Sequence, residues 1–144
     1  MELNTDEYFM REALKEAVKA MDAGEVPVGA VVVCQNKIIA RAHNQTEQLT
    51  DATAHAELLC IKEAALKLGN WRLIDSILYC TLEPCTMCIG ALILSRVKTV
   101  IWGAPNLFTE RPFHKVENRG GVLKEECSQL MKQFFQEQRA KNIR

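Results

Sequence analysis

The sequence predicts a layered α/β domain in which helices cover both faces of a sheet. Four helix-like segments alternate along the 144-residue chain with short apolar runs that have the character of strands. Alternation of this kind is typical of α/β architectures. The chain has no internal repeat, low-complexity tract or Pro/Gly/Ser-rich linker, so we expect a single domain over residues 1–144.

Capping and turn residues place the elements in order. Asn4 or Thr5 can cap the first helix and Gly24 can end it. Pro84 suits the first turn of a later helix, because its fixed φ angle is already helical. The expected elements are a helix from Asn4 or Thr5 to Gly24, a strand over 26–34, a turn over 35–37, a strand over 38–42, a polar loop over 44–53, a helix over 54–68, a strand over 77–81, a helix over 85–94, a strand over 98–102, an irregular segment over 103–120 and a helix over 123–141.

Composition and charge indicate a cytoplasmic protein. No apolar run approaches the roughly 20 residues that a membrane helix needs, and the N-terminus is polar and acidic. The net charge is zero, but residues 1–95 hold 8 Lys/Arg against 13 Asp/Glu, and residues 96–144 hold 10 against 5. Such asymmetry fits either a side that faces a polyanion or ordinary solvated surface. In a reducing compartment, a Cys-x-x-Cys pair favours metal or redox chemistry, and the isolated Cys34, Cys60, Cys80 and Cys127 favour burial.

Three side chains have the pattern of an open zinc site. Cys85 and Cys88 are three residues apart at the start of an expected helix, so they project to the same side. A helix N-terminus favours the thiolate form that binds metal. His55, which also begins an expected helix, completes a three-ligand set that leaves one zinc coordination position for water.

Glu57 is the candidate general acid and base. It lies two residues beyond His55, where a carboxylate can face the open position without binding the metal. From there it can take a proton from zinc-activated water and return it to a leaving group. The His-x-Glu and Pro-Cys-x-x-Cys segments, in this order, resemble the zinc-binding signature of the zinc deaminases.

Other roles are possible for the same residues. Glu57 could merely complement the helix dipole, and the cysteines could form a redox pair. A structural zinc site would need a fourth ligand, for which the chain offers only His43 or His114, and neither has a spacing that demands it. We therefore prefer the open site.

The chain closely resembles the cytidine deaminase-like superfamily, and within it the bacterial tRNA-specific adenosine deaminases. The similarity covers about residues 5–104 and 114–140. Its most specific blocks are Ala54-His55-Ala56-Glu57 and Thr81-Leu82-Glu83-Pro84-Cys85, and further blocks are Gly24–Ala30, Ala42–Asn44, Trp71–Asp75 and Ser95-Arg96.

The resemblance implies a fold, a reaction and partners. The fold is a three-layer α/β/α sandwich with a mixed five-stranded sheet. The reaction is hydrolytic deamination of the wobble adenosine to inosine in a tRNA anticodon stem-loop, with one Zn²⁺ per subunit. The family usually works as a homodimer. Asn44 matches a base-binding asparagine, backbone amides around Ala56 and Glu83 line the site, and Val28 forms part of an apolar wall.

The chain departs from the family over residues 105–114, where the family has a longer glycine-rich stretch. Asn106 falls where an aspartate is usual beside the substrate's backbone. An amide donates as well as accepts hydrogen bonds, so contacts to a ribose hydroxyl or a phosphate would change. The sequence therefore keeps an alternative substrate open, a free base or nucleoside such as guanine, cytosine or adenine, with Phe108 or Phe113 as a lid. A zinc-stabilised protein without catalytic activity is a third possibility, against which Glu57 argues.

The last expected helix combines two phenylalanines with basic residues. Phe134 and Phe135 can offer ring packing, and Lys132, Arg139, Lys141 and Arg144 can attract phosphates. We expect one face of this helix to pack on the sheet and the other to be basic.

Overall fold

The computed structural model describes residues 4–107 and 116–142. Within these residues lie four helices and five strands, close to the positions that the sequence predicts. They are α1 (Asp6–Asp22), β1 (Gly29–Cys34), β2 (Lys37–His43), α2 (Ala56–Leu68), β3 (Ser76–Leu82), α3 (Thr86–Leu94), β4 (Thr99–Ala104), β5 (Glu117–Arg119) and α4 (Lys124–Asn142).

The strands form one mixed sheet in the order β2-β1-β3-β4-β5. β1 is antiparallel to β2 and β3, whereas β4 is parallel to both of its neighbours. One hydrophobic cluster packs α2 and α3 against the sheet, and a second cluster packs α1 and the start of α4 on the opposite side. The three-layer α/β/α arrangement and the mixed five-stranded sheet are thereby confirmed.

Local signals account for the first helix and the hairpin. The Thr5 hydroxyl accepts a hydrogen bond from the Tyr8 N–H and caps α1. Gln35 and Asn36 both have positive φ, at 51° and 62°, which gives the hairpin a two-residue turn whose twist matches the flanking strands. Gly24, with φ of 79°, follows the end of α1 as expected.

Two sequence predictions were wrong in detail. β1 begins at Gly29 and not at residue 26, because Pro27 has no N–H for a ladder and the Val28 N–H donates to the Val26 carbonyl. The segment over 103–120 is not wholly irregular, because β5 pairs with the edge of β4. This three-residue strand is polar and therefore carries no strand signal in the sequence.

The four isolated cysteines divide by position. Cys60, Cys80 and Cys127 are buried, as the sequence predicts, but Cys34 is only half-buried at the end of β1. None of the helices in the described part of the chain is long and apolar enough to cross a bilayer.

Candidate active site

Two helix N-termini meet beside the sheet and carry the candidate metal ligands. His55 is the N-cap residue of α2, and Cys85 is the N-cap residue of α3. Cys88 lies buried in the first turn of α3. Neither N-cap side chain makes a capping hydrogen bond to the backbone of its helix, so the imidazole and the thiol are available to a metal.

The spacing of the three donor atoms suits a tetrahedral zinc ion. His55 Nδ1 lies 3.6 Å from the Sγ atom of Cys85 and 3.6 Å from that of Cys88, and the two sulfur atoms are 3.7 Å apart. Zinc bonds of about 2.3 Å to sulfur and about 2.0 Å to nitrogen give tetrahedral edges of about 3.8 Å between sulfurs and about 3.6 Å between sulfur and nitrogen. The donor set and its geometry therefore fit one zinc ion.

The cluster has three members, as an open site requires. Among the residues that the structure describes, His55, Cys85 and Cys88 form the group of metal-ligating side chains that converges in this way. His43 lies instead with its Nδ1 atom 3.6 Å from a carboxylate oxygen of Glu16. His114, the other candidate fourth ligand, lies outside the described residues.

Glu57 lies in the first turn of α2 and is only 4% exposed. Burial raises the pKa of its carboxyl above the ordinary value, and nearby His55 partly offsets this. Burial also raises the pKa of the Cys88 thiol, and the Glu57 charge adds to that effect. A bound dication acts in the opposite direction, because it deprotonates a coordinating thiol.

A cavity of about 200 Å³ opens beside the three ligands. It is lined by Val26, Val28, Asn44, Thr46, His55, Ala56, Glu57, Leu82, Glu83, Cys85 and Asn106. The structure thus brings all five of the expected substrate-binding residues, and Glu57, to one cavity. Val26, Thr46 and Leu82 were not singled out from the sequence, because an apolar strand residue or a loop threonine has no local mark of such a role.

Hydrogen bonds hold the lining residues in place. The Asn44 N–H donates to the Val28 carbonyl at 3.0 Å, which joins the end of β2 to the segment before β1. On the other side, the buried Glu83 carboxylate accepts the Asn106 N–H at 3.1 Å, and the Glu83 N–H donates to the Ala104 carbonyl. Of the segment that departs from the family pattern, residues 105–107 are described, whereas Phe108 and Phe113 lie outside the described residues.

Helix α4 packs one face on the sheet, but its exposed face carries Glu125, Glu126 and Glu137 as well as basic residues, so the prediction of a basic face is only partly right. Phe134 is 7% exposed and Phe135 is 44% exposed. Phe135 and Lys132 line a second depression that shares Val26 and Asn106 with the cavity. The side chains of Lys132, Arg139 and Lys141 are exposed, and Arg144 lies outside the described residues.

Comparisons with known proteins agree with this site. Residues 3–104 match the model of the cytidine and deoxycytidylate deaminase zinc-binding region. The chain is 49% identical to the tRNA-specific adenosine deaminase of Bacillus subtilis (strain 168), over 96% of this chain and 94% of that protein. It is 51% identical to the chloroplastic tRNA(adenine(34)) deaminase of Arabidopsis thaliana, over 91% of this chain but only 12% of that longer protein.

A solved structure of a similar protein has the same fold as this chain. It comes from studies of A-to-I editing by tRNA:A34 deaminases at the wobble position of transfer RNA. It superposes on this chain with a TM-score of 0.81 at 37% sequence identity, and covers 85% of this chain and 98% of its own.

Proposed function

Because the chain belongs to the tRNA-specific adenosine deaminases of the zinc-binding cytidine and deoxycytidylate deaminase family, we propose that it converts the wobble adenosine of a tRNA anticodon to inosine. The reaction is a hydrolytic deamination: water adds to C6 of the base and ammonia leaves. One observation carries the proposal. The buried Glu57 lines a small cavity together with His55 and Cys85, and these two residues and the buried Cys88 have donor atoms spaced for a tetrahedral zinc ion.

We assign the proton transfers to Glu57. Zinc bound by His55, Cys85 and Cys88 would supply a water that is nucleophilic at neutral pH. The Glu57 carboxylate accepts the proton of that water and later delivers a proton to the departing amino group. Its burial suits proton transfer, because removal from water raises the pKa of the carboxyl and so makes it a stronger proton acceptor.

The remaining lining residues are proposed to hold the base. A volume of about 200 Å³ is smaller than the roughly 300–1,000 Å³ of pockets that enclose drug-sized ligands, so it suits a single base. Asn44 can hydrogen-bond the base through its amide, and Val28 can pack on the ring. Ala56 offers backbone groups, Glu83 lines the wall with its N–H already donated to the Ala104 carbonyl, and Asn106 lies where the nucleotide's backbone would pass.

A path for the flanking RNA is proposed along α4. Phe135 is exposed beside the cavity mouth, where a neighbouring base can stack on its ring. Lys132 lines the same depression and can contact a phosphate. Arg139 and Lys141, further along α4, are exposed as well and can add to the attraction for phosphates.

The substrate is tested by comparing RNA with free compounds. We expect the purified protein to form inosine in an anticodon stem-loop that contains a wobble adenosine, and to release no ammonia from guanine, cytosine, adenine or adenosine. The same stem-loop with guanosine at the wobble position is the control. Ammonia from a free base, with an unchanged stem-loop, would reverse the assignment and favour the free-base alternative.

We further propose that two copies form a homodimer through the exposed apolar surface of α2 and α3. This surface is lined by Leu58, Ile61, Lys62, Ala65, Trp71, Leu94, Ser95 and Arg96. Leu94 is 70% exposed and Trp71 is 53% exposed, which is unusual for large apolar side chains on one patch. The Arg72 guanidinium lies 4.3 Å from the centre of the Trp71 ring, at the distance of a cation–π contact.

A charge on this surface is expected to separate the two copies. Leu94→Glu should shift the protein from dimer to monomer in light scattering after gel filtration, because it buries an unpaired carboxylate at the contact. Leu66→Glu, at a site that is 78% exposed on α2 outside the patch, is the matched control and should remain dimeric. A wild type that is monomeric at micromolar concentration would refute the dimer.

We place this activity in one domain over residues 1–144 and in the cytoplasm. The five strands of a single sheet support the first proposal. A tRNA substrate supports the second.

A further inference from the structure

A buried carboxylate behind the cavity wall has no part in the chemistry above. Glu25 follows α1 and is 1% exposed. Its Oε2 atom accepts the Gln48 N–H at 2.7 Å, and its Oε1 atom accepts the Glu47 N–H at 3.0 Å. The Thr46 hydroxyl lies 3.4 Å from the same Oε1 atom. The Glu25 carboxylate therefore holds a turn of the backbone that lies more than twenty residues later in the sequence.

This turn, residues 46–50, has few other anchors. The side chains of residues 47–53 are exposed, and Leu49 is 51% exposed, so the turn is not packed on the core. Its internal bonds, such as Leu49 N–H to the Gln45 carbonyl, do not tie it to the sheet. Hydrogen bonds to a charged acceptor are stronger than those between neutral groups. The two backbone hydrogen bonds to Glu25 therefore hold a turn that apolar packing does not fix.

The turn forms one rim of the candidate active site. Thr46 lines the cavity, and Val26, the residue after Glu25, lines it as well. Asn44, the proposed base-binding residue, lies two positions before Thr46 in the sequence and also lines the cavity. A displacement of the turn would therefore widen the cavity beside the base without moving His55, Cys85 or Cys88.

We propose that Glu25 is a positioning residue, which holds residues 46–48 and thereby sets the width of the cavity on the Asn44 side. The proposal rests on the proposed function for its effect on substrate. Glu25 is not among the residues that line the cavity or form the metal-ligating group. Its removal should weaken substrate binding more than it slows the chemical step.

Glu25→Gln tests this with little change in shape. A glutamine can accept hydrogen bonds at one oxygen only, so at least one backbone N–H of the turn loses its acceptor. We expect the amides of Glu47 and Gln48 to exchange with deuterium about tenfold faster or more, while those of Val31 and Val32 in the sheet keep their protection. We also expect KM for the anticodon stem-loop to rise about tenfold, with kcat changed less than about threefold and zinc content unchanged. Asp22→Asn, on the exposed end of α1, is the matched control and should leave all of these values unaltered.

The outcomes separate this proposal from the proposed function. Unchanged exchange at Glu47 and Gln48 overturns the proposal, and so does faster exchange with unchanged KM. If the wild type leaves the stem-loop unmodified, the proposed function fails, and the exchange rates still decide whether Glu25 holds the turn. Should the glutamine variant not fold, Glu25→Asp keeps the charge but is one methylene too short, so it should also accelerate exchange at these two amides.

Discussion

Replacing Glu57 with glutamine is expected to lower kcat for inosine formation by about 10³-fold or more, because general acid–base groups contribute roughly 10²–10⁴-fold. Glutamine has nearly the same shape as glutamate, and this side chain is 4% exposed, so the cavity should keep its form. The amide cannot carry the proton from water to the leaving group. Stopped-time assays on the anticodon stem-loop would measure the effect.

Metal content separates the role of Glu57 from that of the ligands. Glu57→Gln should retain one zinc per chain, whereas Cys88→Ser should lose it, because Cys88 contributes a donor atom to the cluster. Glu63→Gln, an exposed position on the same helix, is the matched control and should keep both zinc and activity. Normal turnover by zinc-loaded Glu57→Gln would show that another group moves the proton.

Gly29→Ala is expected to destabilise the fold by about 3 kcal/mol, the upper end of the usual range for an overpacked core. A Cβ atom at this position would overlap the carbonyl oxygen of Ala13 and the backbone nitrogen of Ala17. These are backbone atoms of α1, which cannot swing aside as a side chain can. Since domains of this kind are stable by only about 5–15 kcal/mol, urea unfolding should show a clearly lower midpoint.

A second glycine provides the comparison. Gly90 lies exposed in α3, and a Cβ atom there would meet nothing within 4 Å. Gly90→Ala should therefore stabilise the protein by about 0.5–1 kcal/mol, since glycine is unfavourable inside a helix. If both alanine variants unfold at the wild-type midpoint, the close approach of α1 to β1 is not a constraint on folding.

Much of the fold could be predicted because the caps and turns that bound its elements involve residues close together in the sequence. The Thr5 cap and the Gln35-Asn36 turn act through atoms within a few residues of one another, and each forms where the sequence indicates. The failures occur where pairing partners are distant. β5 exists because the edge of β4 is available to a polar segment, and β1 starts late because Pro27 cannot join the ladder.

The sequence by itself indicated the zinc chemistry expected of this protein, because Cys85 and Cys88 are three residues apart at the start of a helix and Glu57 lies two residues beyond His55. It also determined the types and approximate limits of most elements. Only the tertiary structure decided that the two helix N-termini, thirty residues apart, bring three donor atoms within 3.7 Å of one another. It alone revealed Val26 and Thr46 in the cavity wall and Glu25 behind it, because contacts and hydrogen bonds between residues distant in sequence depend on how the chain packs.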